Sequence, residues 1–273
     1  MQICAICLKK KKNDLHLLVL VSKGELFNDL NLNVDYTILN RTNKYSISKF
    51  KETRDLIKQF DIIHCHFRHV YRYIKLVSLL FSLKDTKIIF HDHYGSIDVD
   101  KKVPKFFNSF LRPRYYIGVS NSLTEWATGY IKNVDVYLLR NIIVESSKKI
   151  DLSKKYDLIL VSNIKPLKNQ IFAAELAGKF NLSILFIGKN QDDTYFKNLK
   201  NYCNNANITY SILENVNNAQ AYLHNAKVGL HVSKSETGPL VLLEYMCKGI
   251  PFIAYDTGEI AHHVKSNYSD LIK

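Results

Sequence analysis

The sequence predicts an α/β fold with two parallel sheets, and three observations support this. Short runs rich in Ile, Val and Leu alternate with longer stretches of helical periodicity, which is typical of parallel strands joined by crossover helices. A polar stretch rich in Ser and Lys, residues 141–156, divides the chain near its middle. The 273 residues are 47% hydrophobic, which is enough to fill two modest cores. We therefore expect two domains, residues 1–145 and 146–273.

Each half of the chain contributes its own strands to this prediction. In the first half we expect strands at Leu15–Val21, Tyr36–Leu39, Ile62–Cys65, Lys87–Phe90, Tyr115–Val119 and Val136–Leu139. In the second half we expect them at Leu158–Val161, Ser183–Ile187, Ile208–Ser211, Val228–Val232 and Phe252–Tyr255.

Charge and cysteine content limit the classes of partner and compartment. Residues 1–141 hold 23 Lys and Arg against 13 Asp and Glu, whereas residues 142–273 hold 15 against 12. This asymmetry favours a polyanionic partner such as an acidic membrane surface, a lipid-linked phosphate or nucleic acid; a general lysine-rich bias is the alternative. The five cysteines are odd in number and scattered through apolar runs, which favours reduced thiols and a cytoplasmic protein. No apolar run reaches the roughly 18 residues that span a bilayer.

The most informative segment is residues 232–258, which reads as strand, turn, helix and strand. Pro239 suits the first position of the helix, and Gly238 lets the backbone turn tightly before it. The free amides of such a first turn form an anion site, which we assign to Thr237, Gly238, Pro239, Leu240 and Val241. The alternative is an ordinary helix start with no ligand.

Two carboxylates flank this turn. Glu236 precedes the helix. Glu244 lies one turn into it, where a carboxylate could accept hydrogen bonds from the two hydroxyls of a ribose. Together they could frame a nucleotide sugar.

This segment resembles the Glu-x7-Glu signature of the retaining group of GT-B glycosyltransferases. The matching positions are Glu236, Gly238, Leu243, Glu244, Met246, Gly249 and Pro251. The resemblance implies two Rossmann-like domains that face each other across a cleft. In the first half, Asp61–His66 and Lys87–Asp92 resemble two strand ends of the family, of which the second carries a catalytically important His, here His91. Residues 161–168 resemble the segment whose cations hold the donor diphosphate.

The chain departs from the family pattern in three places. Asn163 stands where an Arg is expected, so Lys168 is the remaining cation, with Lys165 as a possible substitute. Asn169 stands where a Gly is expected. The family's first strand and Gly-rich loop are not visible: residues 1–12 align better with the helix after that loop, although a strand over Gln2–Leu8 is the alternative. We therefore expect a chain truncated at one or both ends.

The resemblance implies a hexosyltransferase that uses a UDP- or GDP-linked sugar donor and retains the anomeric configuration. The acceptor would be a glycan or a lipid-linked saccharide. The implied catalytic residues are Glu236, His91 and Lys168; the implied donor-binding residues are Asn163, Lys168, Thr237, Gly238, Pro239, Leu240, Val241 and Glu244. No cofactor and no metal are required, because the helix start and basic side chains offset the charge of the diphosphate.

Two other functions remain open. The chain could be a non-catalytic remnant that binds a nucleotide or a polyanion, as the expected truncation and Asn163 suggest. Alternatively, His64 and His66, with His91 and His93, could hold zinc as in hydrolases that carry His-x-His at a strand end. Asp98 and Asp100 have the form of an Asp-x-Asp metal motif, but no hydrophobic strand precedes them, and we expect a solvated loop.

The segment Lys101–Tyr116 predicts a basic amphipathic helix with a stripe of Phe side chains. Such a helix could rest on anionic lipid at the inner face of the cell membrane and bring the protein to a lipid-linked acceptor. The alternative is an ordinary helix that packs its Phe stripe into the first domain. No nucleic-acid module is recognisable, and we expect no nucleic acid as partner.

Overall fold

The computed structural model describes residues 5–9, 14–22, 34–43, 46–95, 97, 100–153, 155–268 and 272. The chain divides into two compact units. The first comprises Met1–Tyr94 and Asp100–Arg140, and the second comprises Gly95–Val99 and Asn141–Lys273. Each unit contains one sheet. The boundary between residues 145 and 146 stays a prediction.

The first unit contains a seven-stranded sheet in the order β3-β2-β1-β4-β5-β6-β7. Its strands are β1 (Ala5–Lys9), β2 (Asp14–Val19), β3 (Asp35–Ile38), β4 (Ile62–His66), β5 (Lys87–Asp92), β6 (Tyr115–Gly118) and β7 (Asp135–Leu138). The strands from β4 to β7 are parallel, and β2 is parallel to β3. Strand β1 runs antiparallel to both of its neighbours, β2 and β4.

Within the described part of this unit, three α-helices accompany the sheet: α1 (Ile47–Ile57), α2 (Arg68–Leu80) and α3 (Asn121–Tyr130). Ser46 and Ser120 cap α1 and α3, because each hydroxyl accepts a hydrogen bond from an amide three residues later. Aromatic rings fill the core around Phe90, which contacts Phe107 and Tyr116. All three of these side chains are fully buried.

The structure corrects three expectations about the first unit. Residues 5–9 form a strand, which was the alternative to a helix there, and this strand makes the sheet mixed instead of fully parallel. The prediction of an amphipathic helix within Lys101–Tyr116 is also wrong, since only a four-residue 3-10 helix, Lys105–Asn108, forms there. Its Phe side chains do not share one face: Phe107 is buried, while Phe110 is 73% exposed.

The second unit contains five parallel strands in the order β10-β9-β8-β11-β12. They are β8 (Tyr156–Val161), β9 (Ile184–Ile187), β10 (Tyr210–Leu213), β11 (Ala226–His231) and β12 (Phe252–Ala254). Numbered within this unit, the order is 3-2-1-4-5, which is the doubly wound order of nucleotide-binding sheets. This confirms the predicted parallel sheet. Every strand predicted in either half lies within two residues of an observed one.

Among the residues that the structure describes in the second unit, four α-helices accompany the sheet: α4 (Gln170–Lys179), α5 (Asp193–Asn205), α6 (Leu240–Cys247) and α7 (Glu259–Asn267). Helix α6 lies close against β11, since a Cβ on Gly229 would come within 2.6 Å of the Tyr245 ring. The Tyr245 hydroxyl is also placed to donate to the carbonyls of Ile159 and Leu230. These contacts fix α6 against the two central strands. No helix in the described ranges is long and apolar enough to cross a membrane.

Candidate nucleotide-sugar site

The strand order of the second unit identifies one position as a candidate site. Strands β8 and β11 are neighbours at the centre, and the chain continues outward from them in opposite directions. In open α/β sheets, ligands bind outside the carboxyl ends of the strands at this switch point. Lys168 lies in the loop that follows β8, and Glu236 lies in the loop that follows β11. The predicted cation and the predicted carboxylate therefore meet at the expected edge of the sheet.

Lys168 and Glu236 form an ion pair there. The Lys168 ammonium donates to the Glu236 carboxylate, and the two side chains are only 17% and 16% exposed. His231 Nε2 lies 3.4 Å from the same oxygen of the Glu236 carboxylate. Because His231 is buried and ends β11, it fixes the carboxylate relative to the sheet.

These contacts decide the charge of Glu236. Burial by itself would raise the pKa of this carboxyl, but the hydrogen bond with His231 and the charge of Lys168 outweigh it and lower the pKa to about 2. Glu236 is therefore an acceptor at neutral pH, able to receive hydrogen bonds from hydroxyl groups but unable to donate a proton.

Helix α6 begins directly after this carboxylate. Pro239 is the residue that flanks the helix, one position earlier than predicted, and the helix starts at Leu240. Among the described residues, no acceptor pairs with the amides of Gly238, Leu240 or Val241, whereas Leu242 N–H donates to Pro239 O at 3.1 Å. Free amides at a helix start carry partial positive charge and suit an anion.

The turn before α6 depends on a glycine other than the one expected. Gly238 does not have a positive φ, and a Cβ there would meet only Ile260 at 3.7 Å. Gly258 has φ +80°, and a Cβ there would lie 3.0–3.1 Å from atoms of Pro239 and Glu236. Glu259 N–H then donates to Thr237 O at 2.9 Å, so the start of α7 supports the turn that carries Glu236.

Glu244 lies on α6 as predicted and is half-buried. Burial raises its pKa, and a hydrogen bond with Gln220 opposes that rise. Gln220 also accepts from Ser146 N–H and donates to Val144 O, so it links the segment before β8 to this carboxylate. The contact between Glu244 and a ribose stays a prediction.

Two residues of the loop after β8, Asn163 and Asn169, differ from the family pattern, and the backbone conformation explains the second. Asn169 adopts φ 60° and ψ 37°, the left-handed conformation that Gly takes most easily and Asn tolerates. The backbone beside Lys168 therefore does not require glycine. Asn163, which stands in place of a cation, is exposed, and its carbonyl accepts from Gln170 Nε2 at 2.9 Å. Its predicted role in donor binding is untested.

Sequence reasoning missed several residues of this site, namely His231, Gln170, Gln220 and Gly258. A His at the end of a buried strand, immediately before a predicted binding loop, was a signal for His231. The others act through contacts between distant segments, which have no local sequence pattern.

In the first unit, His91 lies at the end of β5 and is buried within a group of four His side chains. His91 Nδ1 lies 3.1 Å from His64 Nε2, and His66 Nδ1 lies 3.0 Å from His93 Nε2. One ring nitrogen from each of His64, His66 and His91 lies within 4.8 Å of the other two, so these three could hold a metal ion. The predicted catalytic role of His91 is untested.

The neighbouring acidic residues have other partners. Asp92 points away from the His group and accepts from Arg68 and from the hydroxyl of Tyr116. Asp100 accepts from the hydroxyl of Tyr94 and from Lys102 N–H. Asp98 lies outside the described residues, so the Asp-x-Asp spacing cannot be assigned to a site.

Comparison with known families identifies the second unit. The sequence profile described as "Glycosyl transferases group 1" matches residues 143–272. This range contains the whole of the second sheet together with Lys168, Glu236 and Glu244. No curated protein matches the chain.

Several solved structures share this fold, and three of them differ in their ligands and in their extent of overlap. Anabaena HepE, in complex with UDP, matches with TM-score 0.65 and 13% identity over 88% of this chain and 73% of its own. Sucrose-phosphate synthase from Thermosynechococcus elongatus matches with TM-score 0.57 and 12% identity over 77% of this chain and 59% of its own. A TarM mutant from S. aureus, in complex with fondaparinux, alpha-GlcNAc-glycerol and UDP, matches with TM-score 0.56 and 12% identity over 81% of this chain and 46% of its own.

At these identities the structural likeness establishes the fold, and the sequence profile establishes the family of the second unit. The chain spans 59% of the sucrose-phosphate synthase and 46% of TarM, both less than two thirds, so its substrates are not transferred from them. Residues 143–272 form a group 1 glycosyltransferase domain, and the chain has the fold of the GT-B glycosyltransferases.

Proposed function

We propose that this protein transfers a hexose from a UDP- or GDP-linked donor to a glycan or a lipid-linked saccharide, with retention of the anomeric configuration. The observation that carries the proposal is the pairing of Lys168 with Glu236 at the switch point of a 3-2-1-4-5 sheet, beside the free amides of α6. The ammonium and the amides there suit the diphosphate of a nucleotide sugar, and the Glu236 carboxylate suits its hexose.

The diphosphate is the part that the amides and Lys168 fit. Phosphate oxygens accept from free amides at a helix start, and an ammonium contributes a full positive charge next to them. As the bond between the sugar and the diphosphate breaks, negative charge develops on the leaving oxygen. Groups fixed in place beforehand stabilise this charge without reorganisation, and no metal is needed for it.

The sugar and ribose are the parts that the two carboxylates fit. Glu236 is ionised and held by His231, so it can accept from hexose hydroxyls and orient the donor. Glu244 would accept from the ribose. The acceptor oxygen forms the new bond to the anomeric carbon while the bond to phosphate breaks, and the acceptor proton passes to the departing phosphate oxygen. His91 is proposed to contact the donor sugar.

Calorimetric titration with UDP and GDP tests the donor site. We expect one of the two nucleotides to bind, and Lys168→Ala to weaken its binding about 10-fold or more, because a hydrogen bond to a charged group contributes roughly 1.5–3 kcal/mol. Lys234→Ala is the matched control, since Lys234 is an exposed lysine of the loop that carries Glu236. The nucleotide affinity of Lys234→Ala should stay within about twofold of wild type, because exposed charges are screened by salt.

Two results would contradict the donor site. One is that neither nucleotide binds; the other is that Lys168→Ala and Lys234→Ala weaken binding equally, which would indicate a general effect of charge.

A non-catalytic nucleotide-binding protein is the second candidate, and the absence of a cation at Asn163 favours it. Turnover of the donor separates the two functions. A transferase releases nucleoside diphosphate in the presence of acceptor and loses this activity in Glu236→Ala, whereas a binding protein releases none in either form. Turnover by Glu236→Ala at the wild-type rate would contradict the role of Glu236.

A further inference from the structure

Two cavities lie side by side at the amino ends of β5, β6 and β7 in the first unit. The first cavity, of about 750 Å³, reaches the first residue of β7, Asp135. The second, of about 690 Å³, reaches the first residue of β5, Lys87. Lys75 and Arg114 line both cavities, so the two meet at these side chains. We call the combined depression the amino-edge groove.

This groove is separate from the group of His side chains in the same unit. Because the strands from β4 to β7 are parallel, their amino ends share one edge of the sheet and their carboxyl ends share the other. His91 lies near the carboxyl end of β5, four residues after Lys87, which is roughly 13 Å along an extended strand. A ligand in the groove therefore leaves His91 free for the contact proposed with the donor sugar.

Positive charge dominates the lining of the groove. Its two carboxylates are those of Asp85 and Asp135, and Asp135 pairs with Arg114, whose Nε lies 3.2 Å from Oδ2. The other four cations form no ion pair in the described part of the unit. They are Lys75, Lys84, Lys87 and Arg112. The groove therefore holds an excess of cations without counter-ions.

Lys75 is the cation that gains most from a bound anion. The other four cations of the groove are exposed, whereas Lys75 projects from α2 and is partly buried. Burial lowers the pKa of its ammonium, because the charged form loses hydration. A partly buried charge without a counter-ion is unfavourable, and an anion beside it compensates for the lost hydration.

Arg114 is held in place at the other side of the groove. Its side chain pairs with Asp135, and its carbonyl accepts from Asp135 N–H at 2.8 Å, so the start of β7 fixes both the backbone and the guanidinium. A guanidinium has five N–H donors. The contact with one carboxylate therefore leaves donors for a second oxyanion.

The size and polarity of the groove suit a phosphate group on a small organic molecule. Sites for small ligands typically have volumes of roughly 300–1,000 Å³. Guanidinium groups bind phosphate oxygens bidentately, and ammonium groups bind them as point charges. A phosphomonoester carries about −1.5 to −2 charges at pH 7, so it offsets more of the excess charge than a carboxylate does. The exposed ring of Phe110 also lines the groove and offers apolar surface to the organic part.

We propose that the amino-edge groove is a second anion site, which binds a phosphomonoester between Lys75 and Arg114. Arg112 and Lys87 contribute further positive charge from the two ends of the groove. The phosphomonoester belongs either to a soluble metabolite or to the headgroup of an anionic lipid. This site lies outside the donor site and does not depend on the proposed transfer reaction.

NMR spectroscopy of the amide-labelled full chain, titrated with glycerol 3-phosphate, tests the proposal. We expect saturable shifts at the amides of Arg114, Asn133 and Asp135. Lys75→Met should weaken this binding about 10-fold or more, because a hydrogen bond between charged groups changes affinity by roughly that factor. Lys51→Met is the matched control, since Lys51 is an exposed lysine on α1 of the same unit. Its affinity should stay within about twofold of wild type.

The position of the shifts separates this site from the donor site, which also suits phosphate. Shifts at Gly238, Leu240 and Val241 report on the donor site, and shifts at Asn133 and Asp135 report on the groove. Failure of either site therefore leaves the other one testable.

Vesicles distinguish the two sources of the phosphomonoester. Phosphatidic acid presents a phosphomonoester, whereas phosphatidylglycerol presents a phosphodiester. Tighter binding to phosphatidic acid vesicles than to phosphatidylglycerol vesicles of equal surface charge, lost in Lys75→Met, would identify a lipid headgroup. Saturable binding of glycerol 3-phosphate without a preference between the vesicles would identify a soluble ligand. Either result supports the site.

Three results would overturn the proposal. The first is that glycerol 3-phosphate produces no saturable shift in the groove and the vesicles show no preference for phosphatidic acid. The second is an equal loss of affinity in Lys51→Met and Lys75→Met. The third is that acetate at the same ionic strength produces the same shifts, which would indicate a general attraction of anions.

Discussion

At the scale of single residues, the charge of Glu236 is the feature on which the donor site depends. Its carboxylate is mostly buried, and a buried carboxylate alone would take up a proton more readily. Lys168 and His231 reverse this effect. The sequence predicts the presence of Lys168 and Glu236 in one site, but their direct pairing requires two loops that are 68 residues apart along the chain. No local pattern encodes such a contact.

Acid titration tests this electrostatic arrangement. Because the pKa of Glu236 is lower in the folded chain than in the unfolded chain, the unfolded form binds more protons as the pH falls below the ordinary value of 4.5. Stability from this carboxylate is present above pH 4.5 and is lost as the pH falls toward 2. Between pH 6 and pH 3 we expect the wild type to lose about 2 kcal/mol that Glu236→Gln does not lose.

The free energy of unfolding at the two pH values, measured with urea, gives this difference. Far-UV circular dichroism is the suitable signal, since the single Trp, Trp126, lies in the first unit and Glu236 lies in the second. An equal loss in the wild type and in Glu236→Gln would show that Lys168 and His231 do not hold the carboxylate in its charged form.

At the scale of elements, the turn before α6 depends on contacts with the start of α7. The sequence predicts the helix, the Pro before it and the later Gly, because these follow local rules of capping and termination. The prediction that the tight turn requires glycine at Gly238 is not supported, since the glycine at which a Cβ would crowd the atoms of this turn is Gly258. The strands were predictable for a related reason: buried parallel strands appear as apolar runs. Strand β1 was predicted only as the alternative to a helix, and its antiparallel pairing was missed, because the direction of pairing depends on its neighbours in the sheet.

Gly258→Ala tests whether α7 supports the donor site. The new Cβ would crowd Pro239 and Glu236 at 3.0–3.1 Å, and the residue would have to keep φ +80°. We expect a loss of roughly 1–3 kcal/mol in stability and weaker UDP or GDP binding, because the turn must move.

Gly249→Ala is the matched control for this effect. Gly249 also has a positive φ, +63°, but a Cβ there would have open space around it. This variant should lose roughly 1–2 kcal/mol in stability from backbone strain, with nucleotide affinity unchanged. If Gly249→Ala and Gly258→Ala reduce affinity equally, strain at any point of the domain would be sufficient, and the specific support by α7 would be wrong.

At the scale of the whole molecule, the net charge of +13 is concentrated in the first half. The first unit contains a cavity of about 750 Å³ whose lining includes Lys75, Arg112, Arg114 and the exposed ring of Phe110. It lies at the amino ends of β6 and β7, away from the carboxyl ends where His91 lies. The predicted helix on this segment is absent, but the basic and aromatic surface remains.

Vesicle binding tests whether this surface contacts anionic lipid, as expected from the sequence. We expect sedimentation with phosphatidylglycerol vesicles that falls steeply as salt rises, and none with phosphatidylcholine vesicles, because the attraction is electrostatic and screened. Arg112→Glu should weaken binding, whereas Lys197→Glu, an exposed lysine on α5, should not. Equal weakening by both changes would indicate a response to net charge alone.

The central claim is that the diphosphate of a nucleotide binds at the start of α6, and NMR spectroscopy of the amide-labelled full chain during titration with UDP and GDP tests it most directly. The account predicts the largest shifts at the amides of Gly238, Leu240 and Val241, with smaller shifts in the loop of Lys168. Saturable binding that leaves these amides unchanged would contradict it, as would the absence of any shift with either nucleotide.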